Sequence, residues 1–193
     1  TLQVIALAGA LSEEGRLDQP LLVVAPTSVL GTWAAETARF APGLRVRVVE
    51  QTSKKRLERL ATVAADADII VTSYTLLRLD AEEYAAQSWS AVILDEAQFV
   101  KNRQSRAYQA VRKLKAPAKF AVTGTPLENN LMDLWSLLSI VATSRPSDFT
   151  STRSEDAAAD RRTMVLGELD ATSLTTIVRD TWSTLGGAAI DDE

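Results

Sequence analysis

A chain of 193 residues is long enough for one domain with a real core, and its 46% hydrophobic content is that of an ordinary globular protein. It contains no cysteine and no histidine, which excludes disulfides, thiolate and imidazole metal sites, a cysteine nucleophile and a Ser-His-Asp triad. A formal net charge of -4 excludes a whole-chain basic field for nucleic acid, so any grip on DNA must come from local clusters or backbone amides.

Thr1 to Leu11 carries Leu2, Ile5, Ala8 and Leu11 at helical spacing and predicts a largely buried helix. The polar stretch Ser12 to Gln19, with Gly15, predicts a loop. Leu21 to Ala25, stopped by Pro26, predicts a buried strand. Thr27 or Ser28 can then cap a helix running to about Phe40, and Pro42-Gly43 turns the chain. Arg45 to Glu50 alternates as a half-buried strand, and Ser53 to Ala64 reads as a helix with a basic outer face. Asp68 to Thr72 is a buried strand, and Trp89 to Leu94 is another that runs straight into Asp95-Glu96. Ser105 to Leu114 is a basic amphipathic helix. Lys119 to Thr123 is a strand broken by Gly124-Thr125-Pro126, and Leu127 to Val141 is a strongly apolar helix. This rhythm predicts an α/β domain over residues 1–142: a mostly parallel sheet with helices on both faces, in three layers.

The last fifty or so residues change character. Thr143 to Arg162 is dense in Ser, Thr, Asp, Arg and Ala and reads as loop or disorder. Met164 to Leu185 holds enough apolar residues for a helix or two, and Gly186-Gly187 with the acidic end reads as a frayed tail. Residues 143–193 are therefore expected to be irregular or helical and to pack poorly on the domain. No apolar run approaches the roughly 20 residues needed to span a bilayer. The first residues lack the basic region of a signal peptide, so a cytoplasmic protein without membrane association is the expectation.

Four predicted strands end in small or acidic groups: Ala25-Pro26-Thr27-Ser28, Val71-Thr72-Ser73-Tyr74, Leu94-Asp95-Glu96 and Val122-Thr123-Gly124-Thr125. In a parallel sheet, Pro26, Thr72, Asp95 and Thr123 line one carboxyl edge. Open α/β sheets bind ligands there, and helix N-termini at that edge offer free amides to phosphate. Asp95-Glu96 delivers two adjacent carboxylates to this edge. In phosphoryl transfer one carboxylate helps hold Mg2+ while another group positions water. An Asp-Glu pair opening a helix is also a common cap.

Trp33, Trp89 and Trp135 sit inside apolar patterns and read as core rather than as base-stacking platforms. Lys54, Lys55, Arg56 and Arg59 read as a solvated helix face rather than a phosphate track, as do Arg112, Lys113 and Lys115. Lys101 and Arg103 directly follow the acidic pair and are better placed to face DNA. Tyr74 either packs under the sheet edge or touches a sugar.

Longer stretches carry a family resemblance. The segment VILDEAQFVKN (92–102) resembles the acidic motif of the Swi/Snf family of helicase-like ATPases, and VTGTPLENNLMDLWSLL (122–138) resembles its next motif more specifically. LLVVAPTSVLGTW (21–33) and DIIVTSYTLLR (68–78) resemble its first two DNA-contact motifs. The resemblance covers about residues 1 to 142. It implies a RecA-like first motor lobe that uses ATP and Mg2+, with double-stranded DNA and a second motor lobe as partners. It further implies that Asp95 binds Mg2+ through water, that Glu96 is the general base for the attacking water, and that Gln98 couples nucleotide state to the neighbouring motif. Thr123, Gly124 and Thr125 are implied to link hydrolysis to movement against the second lobe. Pro26, Thr27, Ser28, Thr72 and Ser73 are implied to lie on the DNA-facing side, the side to which the position of Lys101 also points. Small hydroxyls and amides there contact phosphate without reading bases, as a motor stepping along any sequence requires.

Thr1-Leu2-Gln3 resembles the end of the family's nucleotide loop and the first turn after it, which gives Thr1 a nucleotide and Mg2+ role. The glycines and lysine of that loop are then expected before residue 1, and the chain by itself is expected to be inactive. Two alternatives stand beside the motor reading. One is a non-catalytic remnant lobe that binds DNA or a protein. The other is a further superfamily-two helicase or restriction-type motor, against which TGTPLENN argues because RNA helicases usually carry Ser-Ala-Thr in that place.

Overall fold

Apolar runs of four or five residues form a parallel sheet because helices cover both of its faces. The computed structural model describes residues 1–123, 136–137, 139–141 and 165–166. Its strands are β1 (Leu21–Ala25), β2 (Val46–Val49), β3 (Ile69–Ser73), β4 (Val92–Asp95), β5 (Lys119–Val122) and β6 (Val165–Leu166). They lie in the order β2-β3-β1-β4-β5-β6, every pairing parallel. β1 and β3 are buried at every position. The helices are α1 (Leu2–Glu13), α2 (Leu30–Phe40), α3 (Leu60–Ala65), α4 (Tyr74–Leu79), α5 (Ala81–Ala86) and α6 (Arg106–Lys113).

Side chains alternate across each strand, so every strand feeds two cores. Leu21, Val23 and Ala25 of β1, Ile69 and Val71 of β3, and Ile93 of β4 pack with Val4, Ile5 and Ala8 of α1 and Leu30 and Trp33 of α2. The intervening Leu22, Val24, Ile70, Val92 and Leu94 pack on the other face against α3 to α6 and the helical residues Leu137, Ile140 and Val141. The expected three-layer α/β architecture is therefore observed.

Several local expectations are corrected. Ser53 to Arg59 is turn rather than helix, and α3 begins only at Leu60. Side chains at the α4–α5 junction and in α5 hold that turn open: Asp80 accepts from the amide and hydroxyl of Ser53 at 2.7 Å each. Glu83 pairs with Arg56 and accepts the Leu60 amide at 2.8 Å. Tertiary hydrogen bonds thus replace the helical ones that local propensity favours. Neither Thr27 nor Ser28 caps α2 by its side chain; residues 27–29 form a 3-10 turn that leads into the helix. α1 continues two residues into the predicted loop, to Glu13, and buries one face only, with Leu2 exposed. α4 and α5 occupy a stretch for which no helix was predicted. Val165–Leu166 pair with Ala121 and Val122 as a strand where helix was expected. Gly124, Thr125, Trp135 and the remainder of 143–193 lie outside the described residues.

Candidate functional site

Parallel register decides which residues meet. Ala25 pairs with Ser73, Val24 with Leu94, and Asp95 with Val122. Pro26, Thr72, Asp95 and Thr123 therefore stand at or one position from the same carboxyl edge. The edge is built as the strand endings predict.

At its centre the chain leaves β4 through an unfavourable backbone. Glu96 has φ 50 and ψ 55, left-handed geometry without a glycine to ease it, and it is the one non-glycine residue with positive φ among those described. Such a conformation costs about 1–3 kcal/mol and persists where surrounding structure enforces it, often at functional sites. Here it turns the chain into the 3-10 segment Ala97–Val100, leaving Asp95 half-buried and Glu96 exposed. The two carboxylates thus have different surroundings although they are adjacent.

Strand alternation puts Asp95 on the same face as Ala91 and Ile93, the face covered by α2. Trp33, in the first turn of α2, donates its indole N–H to Asp95 Oδ2 at 2.9 Å. Asp95 Oδ1 accepts the Glu96 amide at 3.1 Å. The Asp95 carbonyl accepts the Tyr74 hydroxyl at 2.8 Å. Tyr74 is buried and stacked on Phe99, with centroids 5.4 Å apart, so it packs under the edge. Burial, then the Asp95 and Glu96 charges, pushes the Tyr74 hydroxyl well above its usual range, which keeps it a neutral donor.

A second chain of hydrogen bonds runs across the edge. Gln98 Nε2 donates to Glu96 Oε2 at 2.8 Å, and Gln98 Oε1 accepts from the Thr123 hydroxyl at 2.9 Å. One amide side chain thereby joins the acidic loop to the end of β5.

The hydroxyls of the edge divide into two groups. Thr72 is fully buried, its Oγ1 2.7 Å from the Tyr84 hydroxyl and 3.5 Å from the Val49 carbonyl, which it meets as donor. Ser73 is buried and caps α4, accepting the Leu76 amide at 3.2 Å. Thr27 and Ser28 are exposed, while Pro26 and Lys101 are half-exposed. Of the basic turn, Lys54, Lys55 and Arg59 are exposed, but Arg56 is committed to Glu83, Glu58 and Gln51. Trp33 and Trp89 are core residues, 1% and 2% exposed. Thr1 is exposed and opens α1, whose apolar residues share the layer of Trp33 and Ile93.

The acidic edge suits a hard cation. Its donors are oxygens, and no group of three or more His, Cys, Asp or Glu able to hold a metal occurs among the described residues. A cation at Asp95 would take most of its ligands from water and phosphate, as Mg2+ does. No helix among the described residues is long and apolar enough to cross a membrane.

Trp33 and Tyr74 were not recognisable from sequence as partners of Asp95. Trp33 lies 62 residues away, and only the adjacency of β1 and β4 brings it there.

The sequence model of the SNF2-related domain matches residues 1–184, beyond the 142 residues of the motif resemblance. The Bacillus subtilis protein YwqA is 41% identical over 137 residues, covering 71% of this chain and 15% of its own length. Helicase SWR1 of Kluyveromyces lactis is 40% identical over 140 residues, 72% of this chain and 9% of that protein. The solved Sulfolobus solfataricus SWI2/SNF2 ATPase core in complex with dsDNA superposes with a TM-score of 0.61 at 40% identity, covering 72% of this chain and 28% of that one. The chain thus spans a small fraction of the relatives it matches.

Proposed function

This chain belongs to the SNF2-related domain family, and from that premise we propose that it is the first motor lobe of an ATP-dependent translocase on double-stranded DNA. The observation that carries the reading is the Glu96–Gln98–Thr123 chain of hydrogen bonds at the carboxyl edge. A motor must connect the group that activates water to an element that moves, and Gln98 touches both.

In this reading Asp95 holds Mg2+ through water, and Thr1 belongs to the same nucleotide site. Bound Mg2+ would neutralise charge on the transferring phosphoryl group. Glu96, exposed at the edge, accepts the proton of the attacking water. Gln98 reports the state of Glu96 to Thr123 and, with Gly124 and Thr125, to a second lobe. The exposed Thr27 and Ser28, with Lys101, contact DNA phosphate without reading sequence, while the buried Thr72 and Ser73 shape that edge from behind.

The test joins the lobe to a nucleotide loop and a second lobe and measures ATP-driven displacement of a third strand from duplex DNA. Displacement is expected, and Thr123→Val is expected to lose it while retaining much of the hydrolysis. Wild-type displacement by Thr123→Val would refute the coupling role.

A further inference from the structure

A buried tryptophan fills volume, but its indole N–H also needs an acceptor. Trp89 meets that need in the ordinary way, donating to the Tyr84 carbonyl at 3.1 Å. Trp33 does not. Although it is only 1% exposed, its N–H is directed to a carboxylate at the functional edge, Asp95 Oδ2, at 2.9 Å. Leu30 and Thr37 of the same helix are also buried, and the Thr37 hydroxyl bonds back to the Trp33 carbonyl at 2.8 Å. The indole is therefore held by the core around it, while the Thr37 bond ties only its backbone.

We propose that Trp33 is a positioning residue for Asp95, whose indole N–H fixes the carboxylate so that Oδ1 is the oxygen offered to a hydrated divalent cation. The inference rests on the motor reading for the identity of the cation and deepens it. A charge-assisted hydrogen bond from a rigid, buried donor removes the rotation that a terminal carboxylate otherwise keeps. Groups that orient metal-holding carboxylates typically matter about 10–100-fold in metal affinity or activity. Among the described residues, Asp95 Oδ1 meets only the adjacent Glu96 amide, at 3.1 Å, and it lies on a half-buried side chain at the edge.

The test has two arms. In the 193-residue chain, the indole N–H resonance of Trp33 is identified by its loss in Trp33→Phe. It is expected downfield of the Trp89 signal and is expected to move upfield in Asp95→Ala. A Trp33 resonance unmoved by Asp95→Ala would overturn the proposal. In the two-lobe protein, binding of a fluorescent ATP analogue is measured against Mg2+ concentration. Trp33→Phe removes the N–H and keeps a smaller aromatic ring in the core, and it is expected to raise the half-saturating Mg2+ about ten-fold or more, with metal-free nucleotide affinity and DNA affinity unchanged. An unchanged Mg2+ requirement in the folded variant would overturn the proposal. If the unsubstituted two-lobe protein binds nucleotide no better with Mg2+, the motor reading fails instead, and the indole resonance still decides whether Trp33 holds Asp95.

Discussion

Glu96 is where the sequence says one thing about chemistry and the backbone adds another. Its side chain is half of an acidic motif, but its left-handed φ of 50 is invisible in sequence because no glycine signals it. The strain makes a sharp prediction. Glycine normally destabilises a chain relative to alanine, yet at positive φ it avoids the Cβ clash that alanine keeps. Glu96→Gly is therefore expected to be more stable than Glu96→Ala by about 1 kcal/mol, read from urea midpoints. The opposite order would mean that the turn after β4 is not left-handed. The partners of Asp95 were illegible for a different reason. Trp33 reads as core and Tyr74 as either packing under the edge or touching a sugar; both are buried, and their polar atoms acquire a role only through the sheet order.

The strands were the legible elements. β1 matches its predicted range, and β2 to β5 shift by a few residues at most, because apolar runs ending in Pro, Ser or Asp fix strand and edge together. Ser53 to Arg59 was misread because its hydrogen bonds go to Asp80 and Glu83, which no local pattern reveals. α6 was legible, with Ser105 capping it through the Tyr108 amide at 3.1 Å. Its far end holds a less visible feature. Lys119, at the start of β5, donates to the carbonyls of Val111 and Arg112 at 3.1 and 3.5 Å, closing the helix C-terminus. Burial, and then the Arg112 charge, lowers its pKa from 10.5 to about 8. Below pH 8 the folded chain bears the cost of a buried charge. Between pH 8 and about 10 the unfolded chain binds a proton that the folded chain has released, so stability rises with pH. Lys119→Met removes the titration. The stability of wild type relative to Lys119→Met is therefore expected to climb from pH 8 to about 10 by a kcal/mol or more. A flat difference profile would show that Lys119 keeps its proton.

At the scale of the molecule, the rhythm of strands and helices predicts the three-layer fold, and the strand endings predict which edge carries the chemistry. Four motifs in order identify the family because each must arrive at that edge from a different strand. Register then joins residues that sequence could only set side by side, such as Gln98 with Thr123, 25 positions away. The central claim is that Glu96 activates water for ATP hydrolysis in a two-lobe motor. Electrostatic stabilisation in such a site comes from the nucleotide loop, the cation and the second lobe's arginines together, and an arginine finger alone contributes about 10³–10⁵ in rate. The most direct measurement is ATP hydrolysis with and without duplex DNA by the two-lobe protein and by its Glu96→Gln variant. The expected result is DNA-stimulated hydrolysis that Glu96→Gln abolishes while nucleotide and DNA binding persist. A Glu96→Gln protein that hydrolyses ATP at the unsubstituted rate would contradict it.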